Sequence, residues 1–498
     1  MLTRLHIKGF KNLVDVDIRF GPFTCIAGAN GVGKSNLFDA IAFLSALSEK
    51  PLIDAALSVR DEGGKTGDIR NLFHRVADNF DEEMSFEAEM IIPEHGFDDL
   101  GQPAEATSTF LKYFLALRYR QDEGQRAVGG LEIIEEKLTH IKQREAKKQI
   151  PFTKSTVWKN SVIYGKRGTP FISTEGDTLG SRTIKIHQDG TSGRTRAVLA
   201  KTLPRTVISA TNAAETPTAT LVRREMQSWR LLQLEPSSLR APDPFTSPTR
   251  LGSDGSNLAA TLYRMGRIKD ADAPASNSSR GNSVYAKVAN RLAELIDDVR
   301  ELRIDRDENR ELLTLFVSGK DGTAHPARAL SDGTLRFLAL AVLELDPDSQ
   351  GVLCLEEPEN GIHPKRIPFI LNLLRDISVN TDEEVGADNP LRQVIINTHS
   401  PEVVKQVQDN SLLIAELKQV SNSNKSYSVL SFSCLPDTWR ADIPEAEIVQ
   451  RGRVLEYLNP TPGANEATEQ STSPTSKPVR LVKDRKDMQL PFPFSNNE

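Results

Sequence analysis

Cysteine is scarce in this sequence: Cys25, Cys354 and Cys434 are the only three in 498 residues. They lie too far apart for metal-ligand spacing, which excludes a disulfide scaffold or a zinc knuckle and points to a reducing compartment. Cys25 and Cys354 sit in apolar runs, where a thiol behaves as a small buried hydrophobe. Nowhere do 18 uncharged apolar residues follow one another, so no membrane-spanning helix is expected. The opening MLTRLHIKGF lacks the apolar core of a signal peptide, and a cytoplasmic location with no membrane partner is the expectation. Excess positive charge is also missing: the formal net charge is -6, which removes any whole-chain signature of nucleic-acid binding but leaves room for a local basic patch. His6, His74, His95, His140, His187, His325 and His363 show no metal-ligand or nuclease spacing. There is no repeat period, and no long heptad array that would make a coiled-coil arm.

A chain of 498 residues exceeds what one hydrophobic core usually serves, so more than one lobe is expected. The beginning reads as alternating strands, then the buried-strand run FTCIAG, then GANGVGKSN, then a helical period in LFDAIAFLSAL. Residues 85–92, 109–120 and LEIIEEKLTHI read as strands, and the polar stretch 140–195 as hairpins and loops. Residues 214–230 read as a helix, WRLLQLEP as a strand, and NLAATLYRM as a short helix within a Pro-, Ser- and Gly-rich segment. SVYAKVANRLAELIDDV places Val284, Val288, Leu292, Leu295 and Val299 at helical spacing. After a strand pair around ELLTLFVSG, the order is helix, strand 351–356, helix 365–377, strand QVIINTHS, helix PEVVKQVQ and strand LLIAEL. Such alternation predicts an α/β fold with a largely parallel sheet flanked by helices. Residues 459–498 are rich in Thr, Pro, Ser, Asn and Lys and predict a disordered tail.

GANGVGKS, from Gly28 through Ala29, Asn30, Gly31, Val32, Gly33 and Lys34 to Ser35, matches G-x-x-x-x-G-K-[ST] in full, with Asn36 next. It lies between a predicted strand and a predicted helix, the context this phosphate-binding loop requires. The glycines let backbone N–H groups converge on an anion, helped by the positive end of the following helix. Lys34 supplies a point charge for the outer phosphates, and Ser35 a hydroxyl for Mg²⁺, which takes few protein ligands. The plainer alternative, a glycine-rich turn that binds nothing, leaves the Lys-Ser pair without a purpose.

GVLCLEEPENGIHP ends an apolar strand in two adjacent carboxylates. Strand alternation sends Glu356 and Glu357 to opposite sides, so Glu356 can reach the Mg²⁺ shell while Glu357 polarises an attacking water. A surface Glu pair is the bland reading. VIINTHSP likewise ends a buried strand with Thr398, His399 and Ser400, at the strand ends where ligands bind in a doubly wound sheet. His399 there stands near a γ-phosphate as a donor, although a lone histidine is more often structural. LSDGT starts an apolar helix with Ser331, Asp332, Gly333 and Thr334. Alone it reads as a Ser N-cap; beside the other motifs its orphan N–H groups gain a phosphate to bind.

Together, GANGVGKS, LSDGT, LCLEEPE with NGIHP, and NTHS resemble the ATP-binding-cassette ATPases, in particular the RecF/SMC/OLD-like branch of stand-alone AAA family ATPases. The opening LTRLHIKGFKNL, and more weakly LLQLEPSSLRAP and SDGSNLAATL, share that likeness. The resemblance implies a P-loop NTPase head of the ABC type with a mixed sheet, ATP and Mg²⁺ as ligands, and a composite site between two heads. Carried over, Gly28–Ser35 is the Walker A loop, and Ser331, Asp332 and Gly333 are the signature acting on the partner's ATP. Ser35 and Glu356 take the metal-side places, Glu357 the catalytic base and His399 the switch histidine. Glu356 stands where many members have Asp, and Asp332 where transporters have Gly. The glutamine that links the lobes has no place; DIRNLFHR is near its expected location but contains none.

About 300 residues separate Ser35 from Ser331, which implies an inserted α+β lobe. The expected organisation is residues 1–80 and 326–458 as two halves of the head, 81–325 as the insert, and the tail. No acidic triad of a Toprim nuclease follows His399. The leading reading is an ATP-hydrolysing homodimeric or larger switch in DNA repair or antiphage defence, with DNA and a separate effector nuclease as candidate partners. Lys8, Lys11, Lys147, Lys148, Lys154, Arg223 and Arg224 are the basic candidates for DNA, against the commoner reading of a solvated charged face. A low-turnover ATP-dependent scaffold is the alternative, and a transporter ATPase the third.

Overall fold

The central sheet runs Arg230–Leu232, Gly351–Glu356, Arg392–Thr398, Phe23–Ala27, Leu412–Asn422, Lys425–Cys434 and Glu447–Ile448 in spatial order. Its first five strands are mutually parallel, so their carboxyl ends share one edge, where loops meet a ligand. The computed structural model describes residues 1–59, 68–121, 129–176, 180–189, 195–271, 281–422, 425–452 and 454. The expected disordered tail, 459–498, lies outside the described residues.

Both faces of this sheet are covered, as parallel strands require. Alternation decides which side chain goes where: Val352 and Cys354 join one core, Leu353 and Leu355 the other. The first core lies under the Lys34–Leu47 helix and an eight-stranded antiparallel sheet. The second is closed by the Asp332–Leu345 and Ile367–Ile377 helices. Leu258–Ala271 and Gly281–Leu295 extend it over a small sheet built on Val299–Asp307 and Leu312–Gly319. All three cysteines are buried and free.

The boundaries expected at residues 81 and 326 do not fall in gaps. Glu83–Ile91 pairs directly with Leu2–Phe10 and continues the eight-stranded sheet. Ala324–Pro326 is a strand bound to Leu312–Gly319. Backbone pairing across those positions makes Met1–Leu458 one unit. Nor is 140–195 only hairpins and loops: Gln143–Gln149 and Thr156–Val162 are helices. The second buries Trp158 with Val162 at i, i+4, and the first buries Ala146 with Ile150 at its C-cap, a period hidden by the polar residues between them. The strand expected over WRLLQLEP is only three residues long. Beyond Leu232, the N–H groups of Gln233 and Glu235 turn instead to the carbonyls of Ser253 and Asp254, both at 2.8 Å. Among the described residues no helix is long and apolar enough to cross a membrane.

Candidate active site

The loop after Phe23–Ala27 is held from two sides. Gly28 donates to the Thr398 carbonyl at 3.1 Å, and a Cβ there would strike the Ala415 carbonyl. Gly33 has φ of 100°, a left-handed conformation, and its missing Cβ leaves room for Asn12. Asn12, in the turn between the first two strands, donates to the Val32 carbonyl at 3.0 Å and accepts from Asn36 Nδ2 at 2.8 Å. The neighbouring Lys11 pairs with Asp39 of the helix at 2.7 Å. The GFKN turn is therefore a clamp on the phosphate loop. No side chain caps the Lys34–Leu47 helix, so its first N–H groups stay open to an anion.

Lys34 is buried, and its Nζ donates to the Gly28 and Ala29 carbonyls, both at 2.8 Å. Burial lowers its pKa, while the carboxylates of Glu357, Glu359 and Glu356 act to keep the ammonium charged. A cavity of about 620 Å³ opens here, lined by Asn30, Gly31, Gly33, Lys34 and Ser35 and by Glu356, Glu357 and Asn360. Alternation does not separate Glu356 from Glu357, and both line the same cavity. The strand stops at Glu356, and Glu357 has φ of 45°, so the turn brings both carboxylates to the same cavity. A left-handed non-glycine residue costs about 1–3 kcal/mol, a strain that recurs at functional sites.

Glu357 is also firmly held. Its Oε1 lies 2.6 Å from His399 Nδ1, Asn360 Nδ2 donates to its Oε2 at 2.7 Å, and its N–H reaches the Asn397 carbonyl at 3.1 Å. His399 thus meets Glu357, and of the preceding strand Asn397 lines the cavity. Glu359 lies beneath, buried, with one oxygen accepting from the Thr398 hydroxyl and Oε2 without a partner. Burial pushes its carboxyl above the ordinary range.

Ser331 caps its helix, its Oγ accepting from Thr334 N–H at 3.3 Å and lying 2.8 Å from Thr334 Oγ1. Ser331, Asp332 and Gly333 do not line the cavity, although Arg336 and Leu340 of the same helix do. Arg336 spans the cavity wall, donating to the Leu234 carbonyl at 3.2 Å and the Asn360 carbonyl at 2.7 Å. Arg240 pairs with Asp332 and donates to the Leu330 carbonyl at 3.2 Å, fixing the helix entry.

A family model described as "AAA domain, putative AbiEii toxin, Type IV TA system" matches residues 182–405, and a second, "AAA domain", matches residues 4–89. The DNA replication and repair protein RecF of Porphyromonas gingivalis is 48% identical over 46 residues, 9% of this chain and 13% of that protein. The OLD nuclease of Thermus scotoductus is 49% identical over 41 residues, 8% of each chain. These partial matches make the chain similar to the ABC-type AAA ATPases of the RecF/SMC/OLD branch. It spans only 13% of the length of the first RecF relatives it matches. An SMC head bound to the C-winged helix domain of ScpA superposes on 87% of this chain and 98% of its own, with 13% identity and a TM-score of 0.44.

The glutamine without a place in the sequence has a candidate at the cavity. Gln233 directly follows the edge strand beside Gly351–Glu356, is exposed and lines the cavity. DIRNLFHR instead forms a short 3-10 turn over Ile69–Leu72, away from the cavity lining. The signal was LLQLEP, a glutamine at the end of an apolar run. Two basic candidates for DNA are spent on structure: Lys11 on Asp39, and buried Arg223 on Asp99 and the carbonyls of Ser209 and Thr211. Arg224 and Lys8 sit in exposed ion pairs with Asp99 and Asp15. Lys148 and Lys154 are exposed, and the side chain of Lys147 lies outside the described residues.

Proposed function

We propose that this chain binds and hydrolyses ATP, pairing head to head with a second copy so that Ser331–Gly333 of each closes over the nucleotide of the other. The observation that carries the reading is the composition of one cavity. Phosphate loop, both carboxylates and Gln233 line it, whereas the signature start does not, although its helix passes along the wall. A cap facing away from its own nucleotide site has its remaining N–H donors available to another.

The ring of open N–H groups and Lys34 holds the phosphates. Among the described residues no cluster of three or more His, Cys, Asp or Glu could hold a metal, which suits Mg²⁺ bound through Ser35, Glu356 and nucleotide oxygens. When bound, Mg²⁺ neutralises charge on the phosphates. Gln233 reaches the same space from the lobe side. Glu357 is the base for the attacking water. Its bonds to His399 and Asn360 use one acceptor site on each oxygen and fix the carboxylate's orientation, leaving a second site on each for the water. The same bonds favour a second reading, a scaffold that holds ATP with little turnover. DNA repair or antiphage defence, with DNA or a separate nuclease as partner, is the role proposed for the switch, supported by the likeness to RecF and OLD nuclease.

Glu357→Gln separates the two readings. A hydrolysing switch loses turnover and accumulates an ATP-bound dimer in sizing chromatography. A scaffold keeps its wild-type behaviour, and that result rejects the ATPase reading.

A further inference from the structure

A second cavity, of about 740 Å³, opens at the opposite end of the same two strands, where Arg230 and Gly351 begin them. Its size is that of a small-molecule site. Two of its cations have no carboxylate hydrogen-bonded to them among the described residues. Arg230 is half-buried and donates only to the Leu251 carbonyl, and exposed Arg250 has no side-chain partner among the described residues. Both line the same cavity; burial, and next the like charge of Arg250, lower the pKa of the Arg230 guanidinium against the opposing carboxylate of Asp346.

The acids lining this cavity are already engaged. Arg264 holds Asp346 at 2.6 Å and Asp348 at 2.7 Å, and Glu225 accepts from the Trp229 indole at 3.1 Å as well as from the Met1 amino group. Ser349 also lines the space, only 6% exposed, and its hydroxyl has no partner. At the rim Phe97 is 64% exposed, its backbone fixed by Arg224 donating to its carbonyl at 3.1 Å. Paired guanidiniums match the oxygens of a phosphate. An exposed ring beside them is a platform for a base.

We propose that this cavity binds a nucleoside phosphate, with the phosphate between Arg230 and Arg250, the Ser349 hydroxyl satisfied by the ligand, and the base against Phe97. The site is separate from the P-loop and does not depend on whether the chain hydrolyses ATP. Its ligand chemistry is shared by a free nucleotide and by the phosphorylated end of a nucleic-acid strand.

The test uses the full chain carrying Lys34→Ala, which weakens the P-loop site, titrated calorimetrically with AMP. Saturable binding of one AMP per chain is expected. It should weaken about tenfold or more on adding Arg250→Glu, since a charge-assisted bond is lost. It should weaken about fivefold or more on adding Phe97→Ala. Both side chains are exposed, so neither change is expected to unfold the protein, and a thermal melt checks this. A 5′-phosphorylated oligonucleotide that displaces AMP identifies a strand end as a source; one that does not identifies the free nucleotide, and either supports the site. Absence of AMP binding at millimolar concentration, or binding unchanged by both substitutions, overturns the proposal.

Discussion

If the GFKN turn is a clamp, Asn12→Ala should weaken nucleotide binding without touching any group that meets nucleotide. The change removes two hydrogen bonds, Asn12 to the Val32 carbonyl at 3.0 Å and Asn36 to Asn12 at 2.8 Å. At about 0.5–1.5 kcal/mol each, the loop loses about 1–3 kcal/mol of preference for its present shape. If that shape is the one that binds, apparent affinity falls by the fraction of time it is lost, about 5- to 150-fold. The Asn12 backbone still accepts from Leu430 N–H at 3.3 Å, so the hairpin itself stays anchored. A fluorescent ATP analogue measures the affinity, and urea unfolding measures the fold, whose loss should not exceed the same 1–3 kcal/mol or so. Asn12→Asp gives a second reading: it keeps the acceptor for Asn36 but turns a carboxylate toward the Val32 carbonyl, so it should bind no better than Ala. An Asn12→Ala protein whose affinity stays within about twofold of the parent, less than the loss of a single such bond would give, refutes the clamp.

Two further outcomes follow from the same structure. Ser331→Arg should leave ATP binding to the single chain intact, cost about 1 kcal/mol of stability from the lost cap, and block dimerisation and hydrolysis; normal turnover would reduce this stretch to a cap. Buried Glu136, which accepts from the N–H groups of Val207 and Ile208 at 2.7 and 2.9 Å, has a carboxyl pushed by burial from 4.5 up to about 7. The folded chain therefore keeps this proton between those values while the unfolded chain releases it. Stability should fall as pH rises through that window, by about 3 kcal/mol from this group. Denaturation midpoints of Glu136→Gln should lack that slope, and parallel curves for the two proteins would contradict the assignment.

Much of the architecture was legible because the central strands are unbroken apolar runs with punctuation at their ends. Phe23–Ala27, Gly351–Glu356 and Arg392–Thr398 are almost wholly buried, and each motif sits where its run stops. Gln233 was not legible, because its strand is three residues long and its neighbour lies more than a hundred residues away in sequence. Periodicity reports which face a residue takes, and not which distant strand it pairs with. The shared cavity of Glu356 and Glu357 was hidden for another reason. Alternation holds only while backbone angles stay extended, and Glu357 leaves that region. Composition does not reveal that antiparallel pairing of Leu2–Phe10 with Glu83–Ile91 crosses the position expected as a boundary at 81.

The three-residue strand Arg230–Leu232 acts as a ruler between two rooms. Arg230 faces the arginine-rich cavity and Gln233, one residue past the other end, faces the phosphate loop. At about 3.3 Å per residue the whole interval is about 10 Å, too short to absorb slack. Inserting a single residue would turn every later side chain over and carry Gln233 away from the cavity it lines. This segment should therefore tolerate exchanges of side chain far better than any change of length.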